Sequence, residues 1–201
     1  MGRIHPAKNM SGDGESSVWT VWKKSSMAFQ GTDGFSVYND KGKLAFRLDN
    51  YSRKHKELVL MDGGGKPLLS LRPQILSIHD QWNGFKESEE DSKTRSKSNI
   101  FSIKRKSILH STDEVEVFMT NGITPDFQVE GCFWKRNCKI RSKSGEIVAK
   151  TSRKKVNKSV ILSDDVFSLE IRPGIDCELI MAFVVVLDRI CQKPHATLMC
   201  S

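Results

Sequence analysis

The segment that most constrains this chain is IDCELIMAFVVVLDRI, residues 175–190. Its apolar residues at 175, 179, 180, 183, 187 and 190 follow helical spacing. Met181, Ala182 and Val184 to Val186 carry the apolar character around the rest of the circumference, so the helix has no face it can show to water. The run from Leu179 to Leu187 has nine residues, about half of the roughly 20 that a membrane-spanning helix needs. The helix must therefore be covered by the protein itself. Arg172-Pro173-Gly174 marks the entry, Asp176 and Glu178 suit the positive end of the helix dipole, and Asp188-Arg189 marks the exit. These signals place the helix at about 174–190.

The text that could cover it lies between Val18 and Arg172. It consists of short alternating runs cut by glycine and aspartate: FSVY, LAFRL, ELVLM, PLLSL, QILSI, IFSIK, VEVFM, DFQVEGCF, CKIR, EIVAK and VFSLEI. Many short strands separated by turns predict a sandwich or a barrel. One unit recurs, a polar turn with glycine ahead of an alternating strand: Asn39-Asp40-Lys41-Gly42, Asp62-Gly63-Gly64-Gly65 and Lys143-Ser144-Gly145. Glycine supplies the positive φ of a hairpin turn, so these units predict antiparallel neighbours in a meander. They are not phosphate cradles, because none stands between a strand and a helix and no GxxxxGK[ST] is present. A barrel wrapped around the helix would satisfy every apolar face. Its lumen would then be filled with side chains, and any ligand would have to bind outside.

Residues 1–16, rich in glycine, serine and charge, read as a flexible N-terminal tail. A single domain is expected over 17–193, with a short C-terminal tail at 194–201. Within it, KESEEDSKTRSKSN at 86–99 reads as a solvated loop. Five cysteines without CxxC spacing fit reduced thiols of the cytosol or nucleus better than a disulfide framework. The opening MGRIHPAKNMSGDGES has no apolar core of a signal peptide, and Pro6 stands where myristoylation wants Ser or Thr. A cytoplasmic monomer is expected, with peripheral attachment to the plasma membrane or entry to the nucleus as further destinations.

Several stretches, taken in order, carry a resemblance: VWTVWKKSSMAF, FSVYNDKGKLAFRLDNYS, LVLMDGGGKPLLSLRPQILSIHDQWNGFK, DFQVEGCFWKRNCKI with GEIVAK, and VFSLEIRPGIDCELIMAFVVVLDRI. Together they resemble the LURP-one-related family of plants, part of the tubby C-terminal-like superfamily that includes the phospholipid scramblases. The resemblance implies a mainly β fold, a closed antiparallel barrel of about twelve strands around a central hydrophobic C-terminal helix. It also implies properties of relatives: tubby domains bind phosphoinositides through basic surface residues and can pass from membrane to nucleus, and LURP-one-like members are linked to defence against oomycetes. The chain departs from a scramblase in having no spanning helix and no D-x-[DN]-x-[DN]-G calcium loop before its last helix. No tubby phosphoinositide motif aligns residue by residue, so candidate contacts come from local charge.

That charge is concentrated. The chain carries a formal +8, which favours partners bearing phosphate. From Gly131 to Ser159 ten basic residues face one acid, Glu146. The candidate phosphate or lipid contacts are Lys135, Arg136, Lys139, Arg141, Lys143, Arg153, Lys154 and Lys155. On a strand Lys139, Arg141 and Lys143 would alternate with Cys138, Ile140 and Ser142 and point to one side. At about 1 kcal/mol per cation beside an acidic leaflet, three supply roughly 3 kcal/mol, a weak and salt-sensitive attachment. The competing reading is that outward barrel positions need charge for solubility and to blunt edges. Lys104, Arg105 and Lys106 form a shorter cluster that fits the second reading.

Other chemistry is thinly represented. No helix-turn-helix, zinc finger or basic helix is readable, so sequence-specific nucleic acid is not an expected partner. Trp82 and Trp134 lie near cations but read as packing. His79-Asp80 is the only adjacent His and Asp, lacks Gly-x-Ser-x-Gly, and reads as a strand end entering a turn. Cys191 with His195, and Cys132 with Cys138, lack further ligands, so neither a metal nor a cofactor is expected. Cys177 should be a buried thiol of raised pKa; Cys200 is the thiol expected to react. The sequence thus predicts a binding module without a reaction of its own. Two readings stand: peripheral attachment to anionic membrane, or a protein-interaction or nuclear regulatory role in defence.

Overall fold

The computed structural model describes residues 14–23, 34–49, 57–75, 80–87, 97–106, 114–120, 122–133, 135–155 and 162–191. They form twelve strands and one helix: β1 Ser17–Trp22, β2 Phe35–Tyr38, β3 Leu44–Asp49, β4 Leu58–Asp62, β5 Pro67–Pro73, β6 Trp82–Glu87, β7 Lys97–Arg105, β8 Val115–Met119, β9 Phe127–Cys132, β10 Asn137–Ser142, β11 Ile147–Arg153, β12 Val166–Ile171 and α1 Cys177–Ile190. Each strand pairs antiparallel with its neighbours in sequence, and β1 closes the barrel against β12 with Ser17 opposite Ile171 and Trp22 opposite Val166. Closure leaves no sheet edge to protect.

The glycine turns do what their chemistry predicts. Gly42, Gly65 and Gly145 have φ of 72°, 92° and 84°. In each turn the glycine N–H donates to the carbonyl three residues back, on Asn39, Asp62 and Ser142 respectively. Next to each one the ladder slips by a residue, at Val37/Tyr38, Leu60/Met61 and Ile140/Arg141. Such bulges increase local twist and help a sheet curl shut.

Helix α1 fills the lumen. Its residues from Ile180 to Asp188 are all buried. Phe183 meets Phe101 of β7 edge-on at 5.1 Å and Phe127 of β9 at 5.4 Å. The helix starts at Cys177 rather than 174, because Asp176 caps it: its backbone is extended and its carboxylate accepts from the Leu179 N–H at 3.1 Å. Pro173 and Gly174 form the turn ahead of the cap.

Two strand readings need correction. β5 ends at Pro73, so Gln74 and Ile75 of QILSI are not strand, and its remaining residues 76–78, with His79, lie outside the described residues. The strand in this region is WNGFKE, Trp82–Glu87. Trp82 packs against the core at its start, and the next inward residue is Gly84, where a Cβ would stand 2.2 Å from the Phe101 ring, so an aromatic from the next strand fills that position. The loop over 86–99 is correspondingly shorter, since Lys86 and Glu87 belong to β6 and residues 97–99 to β7; 88–96 lie outside the described residues, as do 1–13 and 192–201, with His195 and Cys200.

Candidate functional site

With the lumen occupied, binding chemistry has to be sought on the outside of the shell. Two shallow hollows of about 100 and 300 Å³ lie there, one lined by Lys106, Glu114, Glu116 and Glu130, the other by Ser16, Lys150, Glu170 and Arg172. Among the described residues, no three His, Cys, Asp or Glu side chains gather as a metal would require.

Strand reversal scatters the basic run of residues 135–155. Lys139 and Arg141 lie on the flank of β10, Lys143 in the turn before β11, and Lys135, Arg136 and Arg153 to Lys155 at the end of the barrel where α1 finishes. Cys138 and Ile140 are buried between the cations, so the alternation holds over Lys139 and Arg141. Lys143 falls beyond the strand, and its Nζ donates to Thr124 Oγ1 at 3.1 Å.

Several candidates already have anionic partners. Arg141 Nε donates to Glu130 at 2.9 Å, and Arg153 pairs with Asp164 at 3.0 Å. Lys150, which stands opposite Lys139 in the ladder, pairs with Glu170 at 2.9 Å. Lys139, Lys154 and Lys155 make no ion pair among the described residues. The surface reading therefore narrows from a stripe of three to these cations, with the exposed Lys135 nearby.

Arg136 is a different case, because it is only 5% exposed. It sits in the turn after β9 with φ of 56° and lies over the rings of Phe133 and Phe167, at 4.9 and 4.3 Å. Its Nε donates to the Asp164 carbonyl at 2.7 Å, and its guanidinium lies 3.6 Å from the Asp188 carboxylate. Asp188, equally buried, also meets Lys23 at 3.0 Å. Burial pushes the Arg136 pKa down, while Asp188, Asp164 and Asp165 hold it up. Arg136 thus clasps the plug to the barrel wall and does not stand on the surface with the other candidates. Arg105 acts at the same end, donating to the Ile190 carbonyl at 2.5 Å where the helix dipole is negative. The sequence signal for this clasp was a lone aspartate inside an apolar helix, which must find a cation; it reads locally as an exit signal instead.

The remaining constellations are structural. Lys104 lies over the Phe118 ring and Lys106 pairs with Glu114 at 3.1 Å. Trp82 packs against the core, while Trp134, His110 and Lys158 lie outside the described residues. Cys177 is half-buried, and desolvation raises its thiol pKa. A cluster that sequence reading missed spans β4 to β7: Glu57 accepts from Arg72 at 3.0 Å and Lys97 at 3.2 Å, and Lys97 also reaches Ser70 Oγ at 3.0 Å. Burial alone would raise Glu57, but those hydrogen bonds and charges bring it below its usual value.

Known proteins share this chain's sequence and its filled barrel. The family model described as LURP-one-related matches residues 17–188. The chain belongs to the LURP-one-related family. It is 39% identical over 173 residues to Protein LURP-one-related 12 of Arabidopsis thaliana, covering 83% of this chain and 75% of that one. It is also 39% identical over 189 residues to Protein LURP-one-related 5 of the same plant, covering 88% and 84%. A protein from Arabidopsis thaliana solved by X-ray shares the fold, with a TM-score of 0.62, 24% identity, and 87% and 91% of the two chains covered. This LURP-one-related chain thus has the closed twelve-strand barrel with one C-terminal helix, and no helix among its described residues is long and apolar enough to cross a membrane.

Proposed function

We propose that this LURP-one-related chain is a binding module without a reaction of its own, which attaches peripherally to anionic, phosphoinositide-bearing membrane through cations on the outer surface of β10, β11 and the residues that follow. The observation that carries the reading is the lack of ion pairs at Lys139, Lys154 and Lys155 among the described residues. Their neighbours Arg141, Lys150 and Arg153 are neutralised by Glu130, Glu170 and Asp164. In the ladder Lys139 stands between Lys150, already bound to Glu170, and Glu130, already bound to Arg141, so its own ammonium is the one in that row without an ion pair among the described residues.

Three cations near an acidic leaflet supply roughly 3 kcal/mol, so attachment is reversible and weakens as salt rises. The test is sedimentation of the protein with vesicles of phosphatidylcholine containing phosphatidylserine or a phosphoinositide, at low and physiological salt. Wild type is expected to pellet with anionic vesicles and K139E/K154E/K155E to stay in solution. Equal pelleting of the two would remove this surface from the reading. A protein partner retained by the triple variant would favour the interaction role instead.

A further inference from the structure

Lys139, which makes no ion pair among the described residues, shares its sheet face with two exposed apolar side chains from the other end of the sequence. On β1 the outward residues are Val18, Thr20 and Trp22, with Val18 44% and Trp22 40% exposed. Val18 and Trp22 are two of only four large apolar side chains so exposed among the described residues, and they are the two that lie on strands. Ladder register places them in rows with β12 and β11. Val18 is opposite Glu170, which is opposite Lys150, which is opposite Lys139. Thr20 is opposite Ser168, which is opposite Ser152. Trp22 is opposite Val166, whose β12 neighbour Phe167 pairs with Arg153, the residue before Lys154. Residues directly opposite in an antiparallel ladder point to the same face.

We infer that the outer face of β1, β12, β11 and β10 is one membrane seat, in which Val18 and Trp22 enter the headgroup layer while Lys139 and Lys154 meet lipid phosphate. The partner is an anionic bilayer rather than a soluble phosphate, because only a bilayer offers charge and an apolar boundary together. An indole with a wet edge and an apolar body suits that boundary. Val18 and Trp22 are four residues apart on one strand, about 13 Å at strand rise, so the two apolar contacts lie along the length of β1. The row between those of Val18 and Trp22 holds the small hydroxyl residues Thr20, Ser168 and Ser152, and the acids beside Lys150 and Lys139, Glu170 and Glu130, are already bound to Lys150 and Arg141. This rests on the membrane reading above and extends it to β1, outside the basic stretch of the sequence.

The experiment uses full-length protein with vesicles of phosphatidylcholine alone, or with 30 mol% phosphatidylserine (roughly the acidic fraction that makes a leaflet strongly negative). Trp22 emission is isolated as the difference between wild type and W22F, and its depth is read with brominated lipid. On the anionic vesicles that emission should shift to the blue and be quenched. V18S/W22S should partition about tenfold more weakly, and K154Q about fivefold more weakly. K104Q, on the outer side of β7 across the barrel, should stay within about twofold. Two outcomes overturn the seat while leaving membrane attachment standing: V18S/W22S binds as wild type, or Trp22 emission does not move on vesicles that pellet the protein. If wild type ignores anionic vesicles, or binds neutral ones equally, the seat and the membrane reading both fall.

Discussion

Replacing Asp188 by asparagine tests whether the plug is held by charge or by apolar packing alone. Asp188 and Arg136 are each 5% exposed, with 3.6 Å between carboxylate and guanidinium. At that separation and an effective dielectric near 20, the attraction is about 5 kcal/mol gross. Desolvation of both groups offsets much of it, so the pair's net worth is small. Removing one partner is a different matter, because Arg136 would remain as a buried cation between Phe133 and Phe167, with the Asp164 carbonyl as acceptor and only the weaker influence of the Asp164 and Asp165 charges to offset it. The expected loss is about 3–5 kcal/mol. Lys23, one-third exposed, adds little once screening is counted. At about 2–4 °C per kcal/mol for a domain of this size, D188N should melt roughly 6–20 °C below wild type. Urea titration and thermal melts followed by circular dichroism give both numbers. The double variant D188L/R136M, which removes both charges, should recover most of the loss. A charge clasp is refuted if D188N lies within about 1 kcal/mol of wild type, or if the double variant loses the sum of the two single losses.

The core and the outer clusters give further expectations. Gly84→Ala should destabilise by about 1–3 kcal/mol in urea, because its Cβ would stand 2.2 Å from the Phe101 ring, which is itself wedged edge-on against Phe183. The Glu57 carboxylate is held below its ordinary 4.5 by Arg72 and Lys97, so it contributes stability that is present above 4.5 and is lost as pH falls through its lower folded value. The melting difference between wild type and E57Q should therefore be constant near neutral pH and shrink below 4.5. A difference that does not change with acid would mean the cluster is ornamental.

The architecture was legible because two local patterns left few solutions. A helix apolar on every side must be enclosed, and alternating strands joined by Gly42, Gly65 and Gly145 turns can enclose it only by curling into a shell. WNGFKE escaped that reading because the inward position after Trp82 is a glycine, and the apolar mass that would continue the alternation belongs to Phe101 on the neighbouring strand. The cations were legible as a cluster in sequence but not as a surface. A strand pattern tells which side a residue faces, whereas its neighbours across the ladder come from register.

What the sequence determined by itself is the plug, the antiparallel shell and the surplus of positive charge, since these follow from the chemistry of contiguous residues. Only the tertiary structure decided which charges remain available. It took Arg136 inside to meet Asp188, 52 positions away, bound Arg141, Lys150 and Arg153 to acids on or just before adjacent strands, and laid Val18 and Trp22 of β1 on the same face as Lys150 and Lys139. The physical reason is barrel closure: pairing β1 with β12 brings the first and last strands side by side, and no local pattern encodes a contact between residues that far apart.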